Sequence, residues 1–353
     1  MKVFNQNFID DLLNYTEKRK PDFNNILKVL AKQRPSRYTL FEFFLNGGLY
    51  TRLAGRSAYS NKAELLKIRI DAFRAAGYDY VTIPASDLFF PCNEVAKAKS
   101  YSLNDGAVIF DRESFLAYDW PDPDDFAKTS LIEELEEHLP EGMKFIVSGP
   151  GGVLENAVAL LGYENMCYLT VDDPDLLLDV FDNIGSRIVR YYELALKYGS
   201  VGAFISNDDW GFATQTMLSV ADMRKYVFPW HKKLTETIHG GGRPVLLHSC
   251  GNAEQIYDDM IDVLKYDGKH SYEDKIMPVE QAYEKLNPRI AVLGGLDMDF
   301  VCRRTPEEIY NRACEMLKRT ERRGGYALGT GNSVPDYLPD QNYFAMIAAA
   351  IVN

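Results

Sequence analysis

Short apolar runs alternate with longer amphipathic stretches along most of this chain. Seven runs stand out, at residues 80–84, 144–149, 203–206, 244–250, 263–267, 290–296 and 325–329. Each is mostly apolar, often β-branched, and closes on or beside Gly, Ser, Asp or Pro. Strands of a parallel sheet read this way, because helices cover both faces and leave no position for water.

Helical patterns fill the intervals. Leu66, Ile70 and Phe73 recur at 3–4 residue spacing within 63–76, and Met223, Val227, Trp230, Leu234 and Ile238 form a second stripe. Thr305-Pro306-Glu307-Glu308 combines a capping residue, a first-turn proline and two acids, which together predict a helix start. Residues 173–198 predict one long helix or two short ones. An eighth strand is expected at 37–44, Arg-Tyr-Thr-Leu-Phe-Glu-Phe-Phe. This alternation predicts an α/β fold, a (β/α)8 TIM barrel with an N-terminal helical extension. An open doubly wound sheet competes, but no GxGxxG follows the first strand. No Gly/Ser linker divides the chain. Residues 1–60 are expected to form a helical cap and the first strand region, and 61–353 the barrel, one structural domain overall. Residues 101–120 predict an inserted β-hairpin near the barrel mouth, from the runs 106–110 and 115–118.

Charge narrows the function. The 353 residues carry 39 Lys and Arg against 51 Asp and Glu, a formal net charge of −12. Such a surface repels phosphate backbones and anionic lipid, so nucleic-acid and membrane partners are not expected. No apolar run reaches the roughly 18–20 residues that span a bilayer. Residues 1–14 lack a signal peptide's apolar stretch. The five cysteines, at 92, 167, 250, 302 and 314, form no disulfide pattern. A reduced, cytoplasmic protein is expected.

A barrel places its chemistry at the C-terminal ends of its strands. The richest such stretch is His248-Ser249-Cys250-Gly251-Asn252. Residues two apart on a strand share a face, so His248 and Cys250 project together into the mouth. Imidazole and thiolate both ligate zinc. Two other readings stay open: a packed cysteine beside a core histidine, and a Cys250 nucleophile with His248 as its base. Of Asp208 and Asp209, one faces the pocket as general acid or ammonium ligand and the other caps or pairs. Trp210, Phe212, Phe89 and Phe90 offer an apolar wall.

Several stretches resemble the uroporphyrinogen decarboxylase superfamily over roughly residues 60–350. They are Ile205-Ser206-Asn207-Asp208-Asp209-Trp210-Gly211, Phe228-Pro229-Trp230, Val245-Leu246-Leu247-His248-Ser249-Cys250-Gly251-Asn252, Leu293-Gly294-Gly295-Leu296-Asp297 and Leu328-Gly329-Thr330-Gly331-Asn332. The resemblance implies a (β/α)8 barrel and one of two activities. One is methyl transfer between a corrinoid protein and a small-molecule donor or thiol, usually at a barrel-mouth zinc. The other is cofactor-free decarboxylation of a porphyrinogen. The methyltransferase pattern is His-x-Cys on one strand and a second Cys in the last strand-end loop. His248 and Cys250 match the first part; Asn332 stands where the second Cys is expected. His270 is the favoured third ligand, with Cys302 and Glu273 behind it. Asn332 and Thr330 are assigned to substrate. The decarboxylase reading retains Asp87, in Ser86-Asp87-Leu88, as an electrostatic catalyst, with Arg52 and Arg56 as its nominated cations. Thr330 occupies that branch's histidine position. The leading expectation is therefore a zinc-dependent methyltransferase or demethylase partnered by a corrinoid protein and assembling as a homodimer. A carboxy-lyase and a non-catalytic corrinoid-binding barrel are the alternatives.

Overall fold

Seven parallel strands pair in sequence order into one curled sheet. The computed structural model describes residue 4 and residues 7–93 and 102–353. The strands are β1 (Tyr80–Pro84), β2 (Lys144–Ser148), β3 (Val201–Asn207), β4 (Val245–His248), β5 (Gly268–His270), β6 (Ala291–Leu293) and β7 (Tyr326–Ala327). Their residues are almost all buried, as continuous apolar runs demand when helices cover the outside and side chains fill the inside. The register aligns Asn207 with His248, His248 with His270, and His270 with Leu293. One level near the strand ends thus carries Asn207 and both histidines.

The expected helices form around this sheet. Lys62–Ala75 buries Leu66, Ile70 and Phe73, and Asn61 caps it through Glu64 N. Residues 173–198 form one helix, Pro174–Leu196, capped by Asp173 and burying Leu177, Phe181, Ile184 and Ile188 against the barrel. Each such side chain contributes about 1.5–3 kcal/mol by leaving water. Thr305 and Glu308 form the capping box of Pro306–Thr320. The stripe from Met223 runs through a π-helical turn, Met223–Val227, into the helix Phe228–Gly240.

The expected eighth strand appears as a seam. Leu40 bridges Leu328 in parallel, with Phe41 N donating to Leu328 O at 2.7 Å and Leu328 N to Thr39 O at 2.8 Å. Toward β1, the described residues show no backbone ladder. The Tyr80 hydroxyl spans this gap instead, accepting from Glu42 N at 2.7 Å and donating to Glu42 O at 2.6 Å.

Two predicted elements differ. The run 263–267 is not a strand; β5 starts at Gly268. Leu264 and Tyr266 are buried while Val263 and Lys265 are exposed, which mimics a strand's alternation. Lys265 is left-handed, at φ 63°, and the segment turns out of a π-helical stretch, Asp259–Val263. Asp267, the last residue of that run, lies at the entry end of β5, where its Oδ2 accepts from Val245 N at 2.9 Å. Nor is the described part of 101–120 a hairpin; residue 101 lies outside the described residues. Val108 N and Ile109 N both donate to Leu160 O at 2.9 Å, spending on a helix end the donors a hairpin would need. The run 115–118 is helical through Ala117, because Asp111 and Ser114 form a capping box on Arg112–Ala117.

Candidate metal centre

The site is assembled where two loops interlock. Gly251 is left-handed, at φ 79°, and a Cβ there would fall 1.9 Å from Gly211 O. The turn after β4 therefore presses directly on the loop after β3. Asn252 N donates to Phe212 O at 2.7 Å, and Cys250 N donates to Asp209 Oδ1 at 2.8 Å. Donor atoms of Asp209, His248 and Cys250 consequently lie within 4.8 Å of one another. Nitrogen, sulfur and carboxylate oxygen together suit zinc, and three protein donors leave a coordination position free, as catalytic zinc sites do.

Hydrogen bonding fixes which nitrogen of His248 is available. His270 Nε2 lies 3.3 Å from Thr330 O, an acceptor only, so this nitrogen carries the proton. His270 Nδ1, 2.8 Å from His248 Nδ1, is then an acceptor, and His248 Nδ1 donates to it. The remaining lone pair of His248 sits on Nε2, which faces Cys250 Sγ at 3.8 Å. Both rings are buried, and Phe43 and Phe41 pack on them at centroid distances of 4.8 and 5.0 Å. Burial pushes His248 down to about 4 and His270 well below the usual histidine value, so both rings are neutral. A neutral imidazole with one nitrogen anchored and the other free is the form that ligates. His270, expected as the third ligand, has both nitrogens engaged; the third donor in the cluster is Asp209.

The sulfur is surrounded by donors. Asn332 Nδ2 lies 3.3 Å from Cys250 Sγ and Ser271 Oγ lies 3.5 Å from it. Asn332 thus contacts the sulfur from the loop where a second cysteine was sought. Burial, reinforced by Asp209, pushes the thiol up to about 12, so its proton leaves only in exchange for a cation. A buried cation stands nearby: Lys269 Nζ donates to Ser271 O at 2.6 Å and lies 4.4 Å from the Tyr272 ring centroid. Burial lowers this ammonium to about 8. The sequence reading missed Lys269, although a lysine inside a barrel strand, between Gly268 and His270, is itself a signal, since such a position offers little water.

Asp208 and Asp209, just beyond the end of β3, have different surroundings. Asp208 is fully buried and accepts from Leu154 N, Glu155 N, Trp210 Nε1 and His231 Nε2, at 3.1, 2.9, 3.1 and 2.8 Å. His231 Nδ1 lies 2.6 Å from Tyr266 OH, and that hydroxyl lies 3.0 Å from Ser206 Oγ. Asp208 therefore holds the helix Val153–Leu161 to the loop carrying Asp209. Gly152 permits this, since a Cβ there would lie 2.1 Å from the Asp208 carboxyl. Glu155, beside both acids, is raised to about 7 by burial first and by their charges second.

Other expected residues are placed elsewhere. Trp210 is buried against Phe228, His231 and Tyr266 and lines no open surface. Thr330 accompanies Glu42: its N and Oγ1 each lie 2.7 Å from that buried carboxyl. Asp87 pairs with Lys62 on the surface, and Phe89 is 57% exposed beside Phe126. Cys302 and Glu273 stand outside the metal-donor cluster. Arg52 pairs with Asp340, and Arg56 with Glu64 and Asp71.

A curled parallel sheet wrapped by helices, with a cluster of candidate metal donors at the ends of β3 and β4, defines a barrel-like α/β protein. Residues 55–351 match the family described as uroporphyrinogen decarboxylase (URO-D). The chain belongs to that family. No curated protein sequence matches it. Among solved structures, it is similar to a methyltransferase from Methanosarcina mazei at a TM-score of 0.70 and 17% identity, over 92% of this chain and 97% of that one. An intracellular xylanase from Thermoanaerobacterium saccharolyticum matches at a TM-score of 0.43 and 9% identity, over 88% of this chain and 95% of that one. Among the described residues, no helix is long and apolar enough to cross a membrane.

Proposed function

We propose that the protein is a zinc-dependent methyltransferase or demethylase, exchanging a methyl group between a small-molecule donor or thiol and a corrinoid protein. The observation that carries this reading is the Asp209–His248–Cys250 cluster, with the free lone pair of His248 turned into it. The fold shared with the Methanosarcina methyltransferase supports it.

In this reading Asp209, His248 and Cys250 hold the ion. When bound there, zinc would supply Lewis acidity, which would lower the pKa of a thiol or polarise the donor's heteroatom. His270 keeps His248 in the ligating tautomer. Asn332 and Ser271 offer hydrogen bonds to the Cys250 sulfur, and Lys269 places a positive charge beside it, so its thiolate is stabilised. The Cys250 N–H orients the Asp209 carboxylate. Decarboxylation of a porphyrinogen has less support, because Arg52 and Arg56, the cations nominated for substrate carboxylates, are already paired with acids.

Metal analysis of protein purified without chelator tests the reading. His248→Ala, Cys250→Ser and Asp209→Asn should each lower zinc content by about tenfold or more and abolish thiol-dependent demethylation of a methylated corrinoid. Unchanged zinc stoichiometry in all three would overturn it.

A further inference from the structure

The opposite end of the barrel carries a cavity of about 520 Å³. It lies where four segments meet: the end of the helix Phe8–Lys18, residues 34–38 before the seam, the junction from Pro306–Thr320 to β7, and the end of Asp340–Ile351. Lys18, Arg19, Arg34 and Arg37 line it, and Glu321 is the acid among its lining residues. Four cations around one cavity oppose the −12 charge of the chain.

Their pairing leaves charge over. Arg34 is matched by Glu321 at 3.0 Å, and Arg37 by the buried Asp79. Lys18 and Arg19 have no carboxylate partner among the described residues. Arg19 Nη1 and Nη2 donate to neutral acceptors, Ala350 O at 3.2 Å and Tyr38 O at 2.7 Å. Both Arg19 Nε and Arg37 Nε are buried with no acceptor among the described residues. Burial, and the neighbouring Arg37 next, lower Arg19 to about 10. Four cations therefore share two acids, Glu321 and Asp79, around one space. Tyr15, Tyr38, Leu317 and Ile351 add apolar surface to its wall. The volume falls in the range of small-molecule sites and exceeds what one inorganic ion fills.

We propose that this cavity binds a small organic dianion, a phosphate monoester or a dicarboxylate, with its charged group among Lys18, Arg19 and Arg37 and its body against the tyrosines. Guanidinium groups suit such oxygens because their N–H groups are fixed in a planar fork. Nothing in this inference depends on the metal centre. An occupant would tie together four chain segments and stabilise the fold by mass action.

Calorimetry and thermal unfolding of the full chain test it, using ribose 5-phosphate, adenosine 5′-phosphate and succinate. Ribose, adenosine and KCl at matched ionic strength are the controls. At least one dianion should bind saturably and raise Tm while the controls do not; which one separates the phosphate from the dicarboxylate source. Lys18→Glu, on an exposed side chain, should leave the ligand-free Tm unchanged and weaken binding about tenfold or more. Arg19→Lys, which keeps charge but loses the fork, should also weaken it. Absence of saturable binding for every dianion up to about 10 mM, or affinity unaltered in both variants, would overturn the proposal.

Discussion

His248 Nδ1 donates to His270 Nδ1 across 2.8 Å, between register partners on neighbouring strands. The bond transmits orientation from Thr330 O, through His270, to the nitrogen that faces Cys250 and Asp209. His270→Leu should therefore weaken zinc binding about 10- to 100-fold without contributing or removing a ligand. His270→Asn, whose Oδ1 can accept from His248, should recover part of the loss. Competition against a chromogenic chelator reads both; wild-type affinity in the leucine variant would show that His270 does not orient the ligand.

Glu42 predicts a pH effect on stability. Burial raises its carboxyl from 4.5 to about 8, against the opposing pull of two hydrogen bonds from Thr330. Thr330 Oγ1 has one proton but lies within reach of both Glu42 Oε2 and Asn332 O. A protonated Glu42 resolves this by donating to Thr330 Oγ1, which donates onward. A raised folded-state pKa gives stability that is full below 4.5 and is lost as pH rises through about 8. Urea unfolding should show this loss, on the order of a few kcal/mol, between about pH 5 and 8. It should be absent in Glu42→Gln, whose amide makes the same donation at every pH. Parallel pH profiles for the two proteins would contradict the assignment.

Asp208→Ala removes the acceptor of four buried donors. The loss should be about 3–5 kcal/mol in denaturant unfolding, since His231 and two helix N–H groups are left unpaired. His231→Phe, which removes one donor and the link to Tyr266, should cost less than Asp208→Ala. Equal and small effects would mean that the network contributes little.

Gly152→Ala forces a methyl into the Asp208 carboxyl, 2.1 Å away. Overpacking of this kind costs about 1–3 kcal/mol. It should also shift the neighbouring Asp209, so zinc affinity and melting temperature should fall together. A stable variant with reduced zinc binding alone would separate these effects.

Most of the sheet was legible because a strand covered on both faces must be apolar throughout, as in Val201–Asn207 and Val245–His248. Helix starts were legible where capping chemistry is local, as at Thr305. Residues 263–267 misled because Leu264 and Tyr266 are buried with a period of two in a turn, and burial pattern does not report backbone conformation. The capping of Arg112–Ala117 by Asp111 and Ser114 was likewise available locally, but the apolar run beside it drew the strand assignment. At the site, His248 and Cys250 were legible because a period of two projects both from one strand. The proximity of Asp209 depends on the contact between Gly211 and Gly251, which lie 40 residues apart and leave no periodic trace. The pairing of His248 with His270 similarly depends on register, which single-chain patterning does not set.

The phenol of Tyr80 bridges the gap between β1 and the segment that carries Glu42. The seven strands, and the bridge of Leu40 to Leu328, are held by peptide groups, whereas the side toward β1 relies on one side chain clasping Glu42. Glu42 in turn touches Thr330, whose carbonyl steadies His270. One unbroken run of contacts, Tyr80 to Glu42 to Thr330 to His270, thus ties the closure of the sheet to the histidine pair.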